Sequence, residues 1–239
     1  MAKLQYVLDA GNTRLKIGRF EGGNLVQVEA LALALADWQQ YRLPFPATAA
    51  ALASVSVPEA DLEVWLREQG VERVLRFDPS VPVPFDSAYT SPETLGSDRK
   101  MLILGALSRF PACNRLLIGM GSCLTYDLLT AQDLHLGGDI SPGMHMRWRA
   151  MHEFTARLPL VTEPEPLQCY GTNTLSALRS GVVQGMVAEI QGRIRQLEHE
   201  IPNLTIILTG GDAHFFEKQI NSPIFAEPNL ALYGLHALL

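Results

Sequence analysis

A carboxylate, a bare glycine and two neutral hydrogen-bonding side chains follow one another in Asp9-Ala10-Gly11-Asn12-Thr13, behind the apolar run Leu4 to Leu8 and ahead of Arg14, Leu15 and Lys16. That order suits phosphate handling at a strand-to-strand turn. Gly11 carries no Cβ, so backbone N–H groups can come close to a phosphate oxygen. Asn12 and Thr13 add neutral donors and Lys16 a positive charge. Asp9 offers a carboxylate to Mg²⁺, an ion that takes few protein ligands and keeps several waters. The competing reading is a Gly-Asn hairpin turn with a solvent-facing Asp. Glycine turns recur after strand-like runs at Gly119-Met120-Gly121-Ser122 and at Gly210-Gly211, which favours a nucleotide, since glycine opens backbone to phosphates and clears a platform for a base. The familiar G-x-x-x-x-G-K-S/T loop is absent from the sequence, and Gly119-Met120-Gly121 lacks the third glycine of a dinucleotide fingerprint.

A second constellation follows a proline-rich stretch. Tyr89, Gly96, Ser97, Asp98 and Arg99 lead into a helix, whose N-terminal N–H groups and dipole attract anions. Asp98 is a candidate base and Arg99 a candidate carboxylate binder, because its planar fork donates two parallel hydrogen bonds. The bland alternative is a first-turn Asp beside a solvated Arg. Gly137 to Gly143 reads as a strand-to-helix connection, with Ser141 either a cap or a ligand contact. The histidines lack metal spacing and are expected in solvated or core-edge positions, and Trp38, Trp65 and Trp148 carry no site signal.

The elements that must position these residues alternate in type. Leu4 to Asp9, Leu15 to Phe20 and Leu25 to Glu29 read as an antiparallel meander. Next come a strand at 49–55, a helix at 58–69, a strand at 71–77, irregular chain across the prolines of 79–92, and a helix to about Phe110. After Pro111 the pattern begins again: strands from Leu116 and Ser122 and at 134–139, a helix at 144–158, a long helix from Thr174 to about Glu200, a strand at 205–208 and a last helix at 229–239. Gly181 and Gly185 are expected to permit close packing of the long helix. The repeat predicts two halves, 1–112 and 113–239, facing each other across a cleft. The chain has 239 residues, 47% apolar, with a net charge of −6, so it has ample core and no general attraction for nucleic acid or anionic membrane. Three cysteines without metal or framework spacing, no signal-like N-terminus and no run of about 18 apolar residues predict a soluble cytoplasmic protein.

The motifs D-x-G-N-T (9–13), Y-x-x-P-x-x-L-G-x-D-R (89–99), G-x-x-x-T-x-D (121–127), G-G-x-I-x-P-G (137–143), T-x-x-A-x-x-S-G (174–181) and L-T-G-G-D-A (208–213) together resemble type III pantothenate kinases, from end to end of the chain. The resemblance implies a duplicated α/β fold of the actin/hexokinase-like, ribonuclease H-like kind, a homodimer, and transfer of the ATP γ-phosphoryl group to pantothenate at the first step of coenzyme A synthesis. By position, Asp9 to Lys16 and Ser122 would hold ATP, with Mg²⁺ at Asp9. Asp98 would be the base, and Tyr89, Gly96, Ser97, Asp98, Arg99 and Thr174 would hold pantothenate. One position departs: the family's carboxylate for K⁺ or NH₄⁺ is Gly119 here, which leaves that ion's site in doubt. The alternative implied by the same resemblance is a non-catalytic nucleotide-binding accessory protein.

Overall fold

The computed structural model describes residues 3–11, 14–33, 35–78, 81–165 and 169–239. Leu4–Ala10 (β1), Arg14–Glu21 (β2) and Asn24–Ala32 (β3) form an antiparallel meander. After Leu35–Gln40 (α1), the strand Ala49–Ser54 (β4) lies parallel to β1. Glu59–Glu68 (α2) then crosses to Arg73–Arg76 (β5), parallel to β4, giving the sheet order β3-β2-β1-β4-β5. The proline stretch, where described, holds no strand or helix before a 3₁₀ turn at Pro92–Thr94, and Ser97–Arg109 (α3) follows.

The second sheet repeats this plan. Asn114–Met120 (β6), Cys123–Leu129 (β7) and His135–Pro142 (β8) make the meander. Met144–Glu153 (α4) and Thr174–Glu200 (α5) precede Leu204–Thr209 (β9), which runs parallel to β6. Ala213–Glu217 (α6), Phe225–Ala226 (β10) and Leu230–His236 (α7) end the chain. The order β8-β7-β6-β9-β10 is the first sheet's order, strand for strand, so the duplication expected from sequence is present.

The chain divides into two compact units, and the division is not a single cut at residue 112. Residues 85–89 join the second unit and 229–239 return to the first. The return has a steric basis. A Cβ on Gly234 would strike the Met101 carbonyl, and one on Gly105 would strike the Leu230 carbonyl, so α7 and α3 cross closely at paired glycines. His236 adds a ring stacked on Phe20, centroids 3.9 Å apart, and Arg109 sits 4.5 Å above the Tyr233 ring. Together these contacts fix the helix that carries Asp98 within its unit.

Each unit has its own apolar core. Leu8, Leu15, Leu52, Leu62, Trp38 and Trp65 fill the first, and Ile118, Tyr126, Trp148, Met186, Ile190 and Ile194 the second. The long helix matches its expected span and its apolar stripe is buried, except Leu175, which is 37% exposed. Two local expectations fail. Among the described residues nothing lies within 4 Å of where a Cβ on Gly181 or Gly185 would stand, and β8 runs on through Pro142, so Ser141 is a strand residue and caps no helix.

Candidate active site

Two acidic side chains come together in the first unit. Asp9 lies near the end of β1, paired across the meander with Lys16. Burial pushes the Asp9 carboxyl above its ordinary value, Lys16 opposes the shift, and Asp98 adds to it. Asp98 is therefore close enough to Asp9 for their charges to repel, although 89 positions separate them in the sequence (98 − 9). Asp98 is exposed in the first turn of α3 and accepts the Arg99 N–H through Oδ1 at 2.9 Å. Gly96 makes that conformation possible: a Cβ there would lie 2.5 Å from Asp98 Oδ1. Arg99 and Lys100 are buried, at 4% and 6% exposure, so the reading of Arg99 as a solvated surface cation does not hold.

The β1–β2 turn shows which parts can meet a ligand. Gly11 donates its N–H to Arg14 O at 3.1 Å and accepts the Ser56 hydroxyl at 2.6 Å. Its φ lies outside the left-handed region, and a Cβ would make only ordinary contact, 3.7 Å from Arg14 O. Among the described residues nothing demands glycine here, and what its absent side chain leaves open is space. Ala10 and Leu15 are core residues, at 1% and 0% exposure, and can reach a ligand only through backbone. Asn12 and Thr13 lie outside the described residues. Gly11→Ala is expected to change folding stability by less than about 0.5 kcal/mol. The same change should raise KM for ATP about ten-fold or more, the scale of one lost hydrogen bond to a charged group. Thermal unfolding beside ATP-dependent kinetics checks the split.

In the second unit the glycine turns meet at one end of the sheet. Gly119 and Met120 are strand residues of β6, so the turn itself is Gly121-Ser122, equivalent in topology to the turn at Gly11. Gly121 N–H donates to Cys123 O at 3.0 Å, as Gly11 does to Arg14. Ser122 is exposed, and its carbonyl accepts Gly143 N–H at 3.1 Å. Asp212 N–H reaches Met120 O at 3.2 Å, and Gly210, at φ +102°, lies against that carbonyl so closely that no Cβ fits. Asp212 is held above its usual range by burial, with His145 opposing from 3.9 Å.

Thr174 is the first residue of α5, exposed, behind a capping box in which Asn173 Oδ1 accepts Ser176 N–H at 2.9 Å. It lines a largely apolar groove of about 540 Å³ with Met151, Leu158, Leu178 and Val182. Arg147 borders that groove with its guanidinium committed to Pro142 O, Ser141 Oγ and Glu189. Tyr89 belongs to the second unit, whereas Gly96, Ser97, Asp98 and Arg99 belong to the first.

Sequence reasoning missed a buried group. Asp127 and His135, 1% and 0% exposed, are joined at 2.9 Å between Oδ1 and Nε2, and Ser87 Oγ lies 2.9 Å from His135 Nδ1. The core-edge expectation for the histidines therefore fails at His135. The available signal was Asp127 and His135 on consecutive strands of one meander, but the register shift at Leu128/Leu129 that helps set their pairing has no mark in the sequence. Asp139 pairs with Arg193.

Two sheets of identical mixed order, with glycine turns after the first strand of each, define an actin/hexokinase-like α/β protein. The fold of a Baf family transcriptional activator from Campylobacter jejuni is similar, with a TM-score of 0.59 at 21% identity over 97% of this chain and 95% of that one. So is that of the activator of the 2-hydroxyisocaproyl-CoA dehydratase from Clostridium difficile, solved with ADPNP, with a TM-score of 0.53 at 12% identity over 100% and 94%. A family model described as type III pantothenate kinase matches residues 6–196. A type III pantothenate kinase of Christiangramia forsetii is 36% identical over 99% of this chain and 98% of its own. The chain belongs to the type III pantothenate kinase family.

Proposed function

We propose that the chain transfers the γ-phosphoryl group of ATP to the primary hydroxyl of pantothenate, the first step of coenzyme A synthesis. Family membership gives the reaction class, and the juxtaposition of Asp9 with Asp98 is the observation in the fold that carries the assignment of roles. Phosphoryl transfer asks for alignment, charge neutralisation and an oriented acceptor oxygen. Asp98 receives the hydroxyl proton: its Oδ1 is held by the Arg99 amide, which leaves Oδ2 for the acceptor. Lys16 and the backbone of the Gly11 turn are assigned to phosphate oxygens, and the Ser122 hydroxyl to ATP by its motif position. Tyr89, Gly96, Ser97, Arg99 and Thr174 are assigned to pantothenate by their places in the family motifs, and the substrate's carboxylate accounts for a cation in an acidic protein.

Mg²⁺ fits the residues present. No cluster of three or more His, Cys, Asp or Glu side chains that could hold a metal occurs among the described residues, and the ion proposed here is one held by Asp9, phosphate oxygens and waters. Such an ion neutralises phosphate charge, and its presence would lower the Asp9 carboxyl from the raised value burial gives it. A monovalent cation fits less well. Gly119 brings no carboxylate; it pairs with the buried Thr125 and Thr209, and Asp127 is bonded to His135. Exchanging K⁺ for a bulky organic cation is expected to change kcat by less than about two-fold, and a collapse of turnover would contradict this.

The proposed location is the cytoplasm; no described helix is long and apolar enough to cross a membrane, and no disulfide joins Cys113, Cys123 or Cys169 among the described residues. The proposed assembly is the homodimer that the family resemblance implies; Phe154, Tyr170 and Ile140 of the second unit are exposed apolar side chains, at 85%, 74% and 63%. ADP release that depends on added pantothenate tests the function, and release indifferent to pantothenate contradicts it.

A further inference from the structure

Residues 85–89 lie alongside β8. Ala88 N–H donates to His135 O at 2.8 Å and His135 N–H to Asp86 O at 2.9 Å, a parallel bridge between Ser87 and His135. Side chains continue the link. Asp127 Oδ1 lies 2.9 Å from His135 Nε2, His135 Nδ1 lies 2.9 Å from Ser87 Oγ, and Ser87 Oγ accepts the Tyr89 N–H at 3.1 Å. With Nε2 donating to the Asp127 carboxylate, Nδ1 can take the Ser87 hydroxyl hydrogen, and the Ser87 oxygen accepts the Tyr89 N–H. The ring of Tyr89 completes the arrangement, stacked over His135 at 6.1 Å and 27°, while Phe85 meets the same imidazole edge-on at 6.3 Å.

Carboxylate, imidazole and hydroxyl in line also describe a hydrolase triad. Here the imidazole is fully buried and Ser87 Oγ already accepts a backbone N–H, whereas a nucleophilic oxygen needs its lone pairs facing an open substrate site. What the line does reach is the backbone and ring of Tyr89. We propose that Asp127, His135 and Ser87 are positioning residues that hold Tyr89 for the acceptor, and so set affinity for pantothenate and not the rate of transfer. This rests on the reading of Tyr89 as a pantothenate contact.

Ser87→Ala removes the middle of the line from a half-buried position outside both cores. It is expected to raise KM for pantothenate about five-fold, the scale of one hydrogen bond, with kcat and KM for ATP within about two-fold. Hydrogen exchange at the Tyr89 amide should accelerate in the same variant, a readout that needs no substrate. Ser87→Thr, which keeps the hydroxyl, should restore both, and Asp127→Asn should reproduce the rise in pantothenate KM. Unchanged pantothenate KM, an equal rise in KM for ATP, or a Tyr89 amide as protected as before would each overturn the proposal. Failure of the underlying reading shows separately: the unaltered chain would give no pantothenate-dependent ADP release, while exchange at Tyr89 would still report whether Ser87 holds that amide.

Discussion

Asp98→Asn is expected to lower kcat by about 10² to 10⁴ while leaving KM for ATP nearly unchanged. The carboxamide keeps the size of the carboxylate and an oxygen that can accept the Arg99 N–H, so the first turn of α3 stays as it is. Loss of the negative charge near the helix N-terminus costs about 0.3 to 1 kcal/mol, offset by relief of the repulsion with Asp9. Stability should therefore move little while turnover collapses. The same variant carries an internal control: with Asp98 neutral, the Asp9 carboxyl should titrate lower than in the parent, which carboxyl-resolved NMR reads directly. Full activity in the variant would remove Asp98 from the chemistry.

The second large effect is expected at Asp9. Asp9→Asn should lower kcat/KM for Mg-ATP by about 10² to 10³, the scale of losing one preorganised electrostatic partner of the transferring group. Its effect on folding runs the other way. Because the folded-state value of Asp9 lies above the ordinary 3.8, folding favours the protonated form, so this group's contribution to stability is present at low pH and is lost as pH rises through the folded value. Asp9→Asn should accordingly unfold at a higher temperature than the parent near neutral pH, with the difference shrinking as pH falls toward 3.8. Mg-ATP should stabilise the parent more than the variant. A variant less stable than the parent at pH 7, or equally stabilised by Mg-ATP, would show that Asp9 is a structural residue.

These effects have a common origin in where the chain puts its acids. A core strand with a carboxylate near its end, and a helix whose first turn presents another close enough to repel it, hold an unfavourable charge that a bound cation would relieve. Activity and apo stability then pull against each other at the same side chain.

Much of this was legible because it is local. The two meanders announce themselves through alternating apolar residues and the turn Glu21-Gly22-Gly23-Asn24, and the Thr174–Glu200 helix through spacings of three and four. The boundary at residue 112 misled because α7 is held in the first unit by carbonyl-to-glycine contacts at Gly105 and Gly234, a pairing that no periodicity records. Gly181 and Gly185 misled in the opposite sense, since glycine spacing alone does not distinguish a packed face from an open one. The short helices α1 and α6 and the two-residue β10 were too brief to carry a pattern. At the candidate site, Asp9 and Asp98 were legible through motifs, but their mutual repulsion is a product of the fold. Ser87 and His135, 48 positions apart, are joined by a bridge outside the regular strands and left no trace in the sequence.

The most direct measurement is mass spectrometry of the acceptor after the purified chain, and in parallel its Asp98→Asn variant, is incubated with ATP, Mg²⁺ and pantothenate. One phosphoryl group on the pantothenate hydroxyl, formed by the parent in step with ADP and almost absent with the variant, is the predicted result. Unmodified pantothenate beside consumed ATP, or the same phosphorylated product from both proteins, would contradict the account.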